Sequence, residues 1–444
     1  MTDEGCYTKY SFHAQLIKYS NSDSWMTTAS IQPPAQPTSF WRAQTPIFLV
    51  AMGHGTLHWV TSILFILLPF IQSDLKLSYT EAGSLITIFH ICATLANIPS
   101  GPLADIIGRR VLIMAGSLAL CGGALVATGY AADYFMVAVM IGIIGAASMS
   151  WHPPAMSYLS IRYPDRRGFA VSIHGLGSSI MQAAGPAVAG IMMSTSTTVP
   201  FLALAMNWRE TAIINGTFPL CIGIMMFMLL KRTRRSVKGR DISTKLKDYA
   251  TGFKGVLKNR SVITLCAVSG FRKLTQAGIF VFLPLYLHNV LKLDALMIGA
   301  TLMSLQIAGA IAGPIAGTMS DRIGRRKIVF AGMWATTIIV MVLPFIGNTT
   351  FFIVGVSFLG FSLYAVRPVL QSWIMDMSEQ RMHGSVTSLM FGVESSFSVV
   401  IPLAGGVIAD LYGLEVTFFL LGGGVIIANM LLPLVPKAEK ASIS

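Results

Sequence analysis

The ten residues GPLADIIGRR at positions 101–110 recur as GTMSDRIGRR at positions 317–326, which is 216 positions later (317 minus 101). Other residues match at a spacing of 215 or 216 positions: Gly83 with Gly299, Pro69 with Pro284, Lys76 with Lys292, and Pro186 with Pro402. A long fixed period of this kind indicates a structural unit that occurs twice in one chain. The sequence therefore predicts two similar halves.

The composition places these halves in a membrane. Hydrophobic residues make up 54% of the 444 residues and charged residues only 11%, whereas a soluble domain carries about 25% charged residues. A spanning helix needs about 20 apolar residues. Twelve such runs are predicted, at 46–71, 80–102, 111–130, 134–160, 168–193, 209–230, 261–288, 295–316, 328–346, 350–375, 384–408 and 414–436. We predict an all-α integral membrane protein with 12 transmembrane helices in two six-helix, pseudo-symmetric halves.

Charge divides the chain further. The stretch 231–260 contains eleven Lys and Arg against two Asp, and it separates six spans from the other six. Met26 is an alternative start, because nothing before it contributes to a span. We predict five segments: a disordered cytoplasmic tail at 1–45, an N-terminal half at 46–230, a basic cytoplasmic linker at 231–260, a C-terminal half at 261–436, and a cytoplasmic tail at 437–444.

The distribution of the basic residues predicts the orientation. Three of the 32 Lys and Arg lie in loops on one side (Lys76, Arg209, Lys292) and three lie within spans, which leaves 26 for the other side. The side rich in Lys and Arg is cytoplasmic. We expect a multi-pass protein of the cell (inner or plasma) membrane with both termini in the cytoplasm. The net charge of +13 then serves topology, and no nucleic-acid partner is expected.

Enzyme and metal chemistry find no support in short motifs. The five cysteines show no CxxC spacing, so neither a cysteine metal site nor a disulfide framework is indicated. The chain has no nucleotide loop and no spacing of nucleophile and base. We therefore expect a protein without cofactor or metal that is not an enzyme. A membrane receptor or scaffold would need a sizeable signalling domain outside the membrane, and the longest polar segments are the tail and the linker.

The repeated loop, G-x-x-x-D-x-x-G-R-R after spans 2 and 8, resembles the signature loop of the major facilitator superfamily, and the resemblance covers the whole chain. Glycine allows a tight turn, and Asp105 with Arg109 can form charge-assisted bonds at the helix ends. The resemblance implies a gating role in closing the cytoplasmic side. The predicted gating residues are Gly101, Asp105, Gly108, Arg109, Arg110, Gly317, Asp321, Gly324 and Arg325.

Two further stretches, MSWHPPAMSYL (149–159) and RYPDRRGFAVSIHGLGSS (162–179), are similar to the branch that includes the fosmidomycin-resistance exporters. Span 5 also contains Gly185-Pro186, which resembles the kinking glycine-proline motif of proton-driven drug antiporters. Helix kinks are therefore expected at Gly185, Pro186 and the repeat-related Pro402.

Ionisable residues inside spans are candidates for function, because charge in the bilayer core is costly. The repeat aligns His152-Pro153 with Arg367-Pro368, so these two side chains are expected to face each other. Three cations and several imidazoles against one carboxylate favour an anion. The predicted substrate contacts are Arg367, Arg272, Lys273, His152, His58, His54, Gln371 and Gln276, and the predicted proton carriers are Glu394 and His174.

Some alternatives stay open at this point. Glu394 is either a proton carrier or a structural partner of Arg367 or Arg272. Adjacent Arg272 and Lys273 point about 100° apart on a helix, so one of them is expected to face the cavity, and Arg272 is favoured. The preferred function is alternating-access, proton-coupled movement of a small organic anion by a monomer, as uptake or efflux. The alternative is a proton-driven drug efflux antiporter.

Overall fold

The computed structural model describes residues 40–195, 204–230, 257–378 and 382–436, with the backbone alone for 40–43, 98, 101–107 and 384. Nearly all of the predicted N-terminal tail, most of the basic linker and the C-terminal tail lie outside these residues. The predicted division into five segments therefore stays a prediction.

Twelve long helices form the described part of the chain, and no strand occurs in it. Every predicted span corresponds to one of them, so the predicted fold class is confirmed. The helices are α1 (Phe40–Asp74), α2 (Tyr79–Ile107), α3 (Arg110–Thr128), α4 (Tyr134–Arg162), α5 (Arg167–Met193), α6 (Trp208–Leu229), α7 (Arg260–Asn289), α8 (Ala295–Ile323), α9 (Arg325–Val342), α10 (Thr349–Asp376), α11 (His383–Tyr412) and α12 (Leu414–Leu431).

Length and composition alone qualify ten of these helices as membrane spans. The two others are α2 and α7. Helix α7 carries both Arg272 and Lys273, which lowers its mean hydropathy. Because it packs against α8, α10, α11 and α12, its polar side chains can face protein and not lipid. The low hydropathy of α7 therefore reflects the charged side chains that it carries.

The backbone repeats as the sequence does. Lys76 and Lys292 occupy the loops that follow α1 and α7, with φ angles of 52° and 53°. Gly108 and Gly324, in the two signature loops, have φ angles of 62° and 97°. Positive φ is uncommon for residues other than glycine, so this agreement shows that the two halves share local conformation as well as helix order.

The halves meet where α2 crosses α11 and where α5 crosses α8. A Cβ atom on Gly83 would overlap the carbonyl oxygen of Pro402, and one on Gly299 would overlap the carbonyl oxygen of Pro186. The repeat relates the two contacts, since 299 minus 83 and 402 minus 186 both equal 216. We call them the glycine–proline junctions. Glycine is required at both because backbone lies directly on backbone.

Hydrogen bonds reinforce the junctions on the side where α1 ends at Asp74, called the far side below. The carboxylate of Asp410 on α11 accepts from the backbone N–H groups of Tyr79 and Thr80, each at 2.8 Å. The Asn289 amide on α7 donates to the Gln72 side chain on α1 at 2.9 Å. The far side of the molecule is therefore closed by contacts between the halves.

On the opposite side, called the signature side, polar contacts tie each signature loop to its own half. Arg325 pairs with Asp321 at 3.0 Å and with Asp376 at the end of α10. The Arg110 guanidinium donates to the Ser157 hydroxyl on α4 at 2.7 Å. Each signature loop is therefore bound to helices of its own half.

Candidate functional site

Close packing of α1 on α5 places two histidines face to face. A Cβ on Gly177 would overlap the carbonyl oxygen of Ala51, and one on Gly55 would lie 2.6 Å from the carbonyl oxygen of Gly177. Because neither glycine has a side chain, the two helices approach closely. The His54 ring then stacks on the His174 ring at a centroid distance of 3.9 Å and an interplanar angle of 6°. His54 Nδ1 also lies 2.9 Å from the His174 carbonyl oxygen. A carbonyl only accepts, so Nδ1 carries the proton.

Helix α4 is interrupted at the residue before its histidine. Trp151 separates the segments Tyr134–Ser150 and His152–Arg162, because the two prolines that follow His152 have no N–H to donate within the helix. Trp151 is fully buried. Its indole ring lies against Gly53, where any Cβ atom would overlap the ring. His152 Nδ1 lies 3.2 Å from the Ser148 carbonyl oxygen, which holds this ring in one orientation.

These two arrangements bring four histidines together in the N-terminal half. The rings of His58 and His152 contact the His54 ring edge to face, with centroid distances of 4.8 and 5.1 Å. Coordinating nitrogens of His54, His58 and His152 all lie within 4.8 Å of one another. We call His54, His58, His152 and His174 the histidine cluster. The sequence analysis expected these residues at the site, and it did not anticipate their mutual contact.

A buried ion pair occupies the corresponding region of the C-terminal half. Arg272 is fully buried and Glu394 is 5% exposed. Arg272 Nη2 lies 3.5 Å from Glu394 Oε1, and Nη1 donates to Gln276 at 3.1 Å. The Ser269 hydroxyl also donates to Glu394. Of the two partners considered for Glu394, the geometry selects Arg272.

Two further cations lie in more open surroundings. Arg367 is exposed although it lies well inside α10, and it is within electrostatic reach of His58, Arg272 and Lys273. Lys273 is half-buried and lies within electrostatic reach of His90 on α2. These neighbours belong to both halves, so Arg367 lies where the charges of the two halves act on one another. Of the adjacent residues Arg272 and Lys273, it is Lys273 that is partly exposed. The sequence had instead favoured Arg272 as the residue that faces the cavity.

The remaining predicted residues lie near these charged groups or on the signature side. Gln276 binds Arg272, and Gln371 is half-buried one turn from Arg367. Asp321 and Arg325 form an ion pair. Arg109 is exposed, and the side chain of Asp105 is outside the described part. The gating and kink roles of these residues stay predictions.

Sequence reasoning missed Ser269, the hydroxyl that binds Glu394. Ser269, Arg272 and Gln276 lie on one face of α7, because residues three, four and seven apart share a helix face. Ser269 lies three residues before Arg272, so the helical spacing that places Arg272 and Gln276 on one face could also have predicted Ser269 there.

Comparison with known proteins settles the family. The profile of the Major Facilitator Superfamily matches residues 50–313 and 274–444. The chain belongs to the major facilitator superfamily. It is accordingly a multi-pass membrane transporter and not an enzyme.

Three curated relatives match along most of their length. The uncharacterized MFS-type transporter YwoD of Bacillus subtilis is 23% identical, over 86% of this chain and 94% of its own. The sialic acid transporter NanX of Escherichia coli is 24% identical, over 81% and 85%. The fosmidomycin resistance protein of Escherichia coli is 20% identical, over 83% and 87%.

A solved major facilitator has the same fold. A bacterial homologue of the human lysosomal transporter Spinster, crystallised in an inward-facing and unoccupied conformation, superposes with a TM-score of 0.76. The superposition covers 89% of this chain and 97% of the homologue, at 14% sequence identity. At that identity the likeness concerns the fold alone.

Proposed function

We propose that this major facilitator moves a small organic anion by alternating access, coupled to protons. The observation that carries the proposal is Arg367, an exposed guanidinium inside a membrane helix. Within the part of the chain that the structure describes, it forms no ion pair with a carboxylate. An unpaired cation at this depth is costly, and a carboxylate, phosphate or phosphonate on the substrate would offset that cost. Arginine presents the planar fork of donors that such groups match.

The charges around the cavity support an anion rather than a cation. Glu394 balances Arg272, whereas Arg367 and Lys273 lie within electrostatic reach of one another. Their repulsion is relieved when a negative group lies between them. The relative named as a sialic acid transporter is consistent with an acidic substrate.

The Arg272–Glu394 pair suggests how protons are coupled. A proton on Glu394 would neutralise its carboxylate and leave Arg272 as a buried cation without its counter-charge. An anion in the cavity would then be attracted by a third cation, so proton binding and anion binding favour each other. Such coupling is reciprocal and corresponds to symport. His174, stacked on His54, is the second proposed proton carrier, because a neutral imidazole can accept a proton.

The conformation fits one stage of alternating access. The far side is closed by the glycine–proline junctions, and we propose that the cavity opens towards the signature side. The excess of Lys and Arg assigns that side, and both termini, to the cytoplasm of a cell-membrane protein. The inward-facing state of the Spinster homologue supports this assignment.

Substitution of Arg367 tests the proposal. Purified protein is screened for thermal stabilisation by monocarboxylates, dicarboxylates, phosphonates and lipophilic cations, and affinity is then measured for the anion that stabilises it most. Arg367→Lys keeps the charge and loses the two-pronged geometry. Loss of one charged hydrogen bond costs about 1.5–3 kcal/mol, so affinity should fall about tenfold to a hundredfold. Arg367→Ala should have a larger effect.

The matched control is Arg209→Lys, because Arg209 pairs with Asp74 on the far side, away from the cavity. This variant should bind the anion as the parent does. Glu394→Gln should still bind and exchange the anion, with binding that depends less on pH than in the parent. Unchanged affinity in Arg367→Ala would contradict the anion site, and a pH dependence in Glu394→Gln equal to that of the parent would contradict the role of Glu394 as proton carrier.

A drug efflux antiporter is the second candidate, favoured by the fosmidomycin resistance protein among the relatives. It predicts resistance to a lipophilic compound on overexpression and stabilisation by lipophilic cations in the same screen. Stabilisation by anions alone would decide against it.

A further inference from the structure

We propose that His54, His58 and His152 form a binding site for a divalent transition-metal ion, Zn²⁺ or a similar ion, in the N-terminal wall of the cavity. No metal site was expected from the sequence, because the cysteines show no CxxC spacing. Two helices supply these three ligands, and the fold brings them together. Imidazole is a preferred ligand of Zn²⁺, Ni²⁺ and Cu²⁺.

The distances suit three-histidine coordination. Coordinating nitrogens of the three residues lie within 4.8 Å of one another. Three nitrogens bound to Zn²⁺ at about 2.0–2.1 Å in a tetrahedron lie about 3.4 Å apart. The rings therefore need to close by at most about 1.4 Å, which side-chain rotation can provide. His54 and His58 lie on one face of α1 because they are four residues apart.

The orientation of two rings also fits a metal site. Metal-binding histidines commonly donate the second ring N–H to a carbonyl or carboxylate, which fixes the tautomer. His54 Nδ1 donates to the His174 carbonyl oxygen and His152 Nδ1 to the Ser148 carbonyl oxygen. The Nε2 atoms are then the lone-pair donors. His54 is only 7% exposed, and its Nε2 is buried without a hydrogen-bond partner in the described residues.

His174 does not belong to the ligand set. Its ring is parallel to that of His54 at a centroid distance of 3.9 Å, and the lone pairs of an imidazole lie in the plane of its ring. An ion bound in the plane of His54 therefore lies outside the plane of His174. His174 contributes its backbone carbonyl, and replacing its side chain should leave metal binding intact.

The fourth coordination position is expected to face the cavity. Three protein ligands with one open position are typical of metal sites that bind a further molecule. Arg367 of the other half lies within electrostatic reach of His58, so a bare dication meets repulsion there. An anion that binds both the metal and Arg367 would remove that repulsion. This last step rests on the proposed function, whereas the three-histidine site does not.

Metal titration of the purified full-length protein tests the site. Zn²⁺ binding is measured by calorimetry, and Co²⁺ binding by the visible absorption of tetrahedral cobalt. We expect one ion per chain. His58→Gln and His152→Gln should each weaken binding by roughly a hundredfold or more, since loss of even an outer-shell partner typically costs 10–100-fold. His58, which is half-buried, carries the test where His152→Gln does not fold.

Two histidine substitutions serve as matched controls. His288→Gln removes a histidine of α7 that contacts Phe70, away from the cluster, and His174→Phe retains an aromatic ring against His54. Both should bind metal within about twofold of the parent. Absence of Zn²⁺ and Co²⁺ binding, or binding that survives in His58→Gln, would overturn the site. A loss in His174→Phe as large as in His58→Gln would overturn the proposed ligand set.

Anion binding in the presence of a chelator separates this inference from the proposed function. Anion binding under chelation without any Zn²⁺ binding would leave the anion carrier intact and disprove the metal site. Zn²⁺ binding at the three histidines without binding of any tested anion would do the reverse. If both hold, Zn²⁺ should raise anion affinity, and the anion should raise Zn²⁺ affinity by the same factor.

Discussion

At the position where the N-terminal half carries His152, the C-terminal half carries Arg367, 215 residues later (367 minus 152). Both are followed by proline, and both lie within electrostatic reach of His58. The N-terminal wall is built from imidazoles that contact one another. The C-terminal half carries charged side chains there, of which Arg272 and Glu394 form a buried ion pair. Duplication has kept the helix positions and changed the chemistry on them.

This difference gives the two sets of residues different chemistry. Neutral imidazoles can accept a proton or a metal ion, whereas a guanidinium group keeps its charge and attracts an anion throughout the physiological pH range. The junctions on the far side show the opposite behaviour, because there both halves use the same glycine and proline. We expect the asymmetry at the charged and imidazole residues, and the symmetry at the junctions, to appear in the free energy of unfolding as well.

The largest effect is expected at the buried ion pair. Glu394→Ala leaves Arg272 as an uncompensated buried charge, which typically costs about 3–5 kcal/mol of stability. The double variant Arg272→Met, Glu394→Leu should recover most of that loss, because apolar residues of similar size can replace a buried pair. Thermal unfolding of the purified protein in detergent is the measurement. A single variant as stable as the parent would show that the C-terminal wall is not held by this pair.

An intermediate effect is expected at the glycine–proline junctions. Gly83→Ala and Gly299→Ala each place a methyl group against a proline carbonyl oxygen, and overpacking of this kind costs about 1–3 kcal/mol. The repeat predicts similar losses for the two variants. Gly313→Ala, on the same helix as Gly299 but with open space around it, should be neutral or stabilising by up to about 1 kcal/mol. Unequal losses at Gly83 and Gly299 would break the symmetry of the junctions.

The smallest effect is expected at the signature side. Asp376→Asn removes one partner of Arg325, and both side chains are partly in solvent, at 51% and 25% exposure. Exposed ion pairs contribute about 0–1 kcal/mol, and Arg325 retains Asp321. The unfolding temperature should therefore change little. A loss above about 2 kcal/mol in the free energy of unfolding would show that this ion pair stabilises the fold more than exposed pairs usually do.

The fold could be read from the sequence because a bilayer allows few solutions. Every backbone polar group must be satisfied inside the membrane, so each long apolar run becomes a helix, and the repeat related Gly83 to Gly299 and Pro186 to Pro402 in advance.

The partners of those residues could not be read in the same way. Whether Glu394 pairs with Arg272 or Arg367 depends on the rotation of each helix about its axis, which packing determines. The stack of His54 on His174 depends on how closely α1 approaches α5, and the absent side chains of Gly55 and Gly177 permit that approach. Glycines of this kind are visible in a sequence, but the helix that each one contacts is not.

The glycine–proline junctions have a consequence for how fast the halves can move. Helices that interlock through side chains must withdraw ridges from grooves before they can turn against each other. At Gly83 and Gly299 a carbonyl oxygen lies on bare backbone, so no rotamer has to change as one helix rolls over the other. Each junction can act as a pivot of low friction. The rate of opening on the far side would then depend on breaking the hydrogen bonds of Asp410 and Asn289.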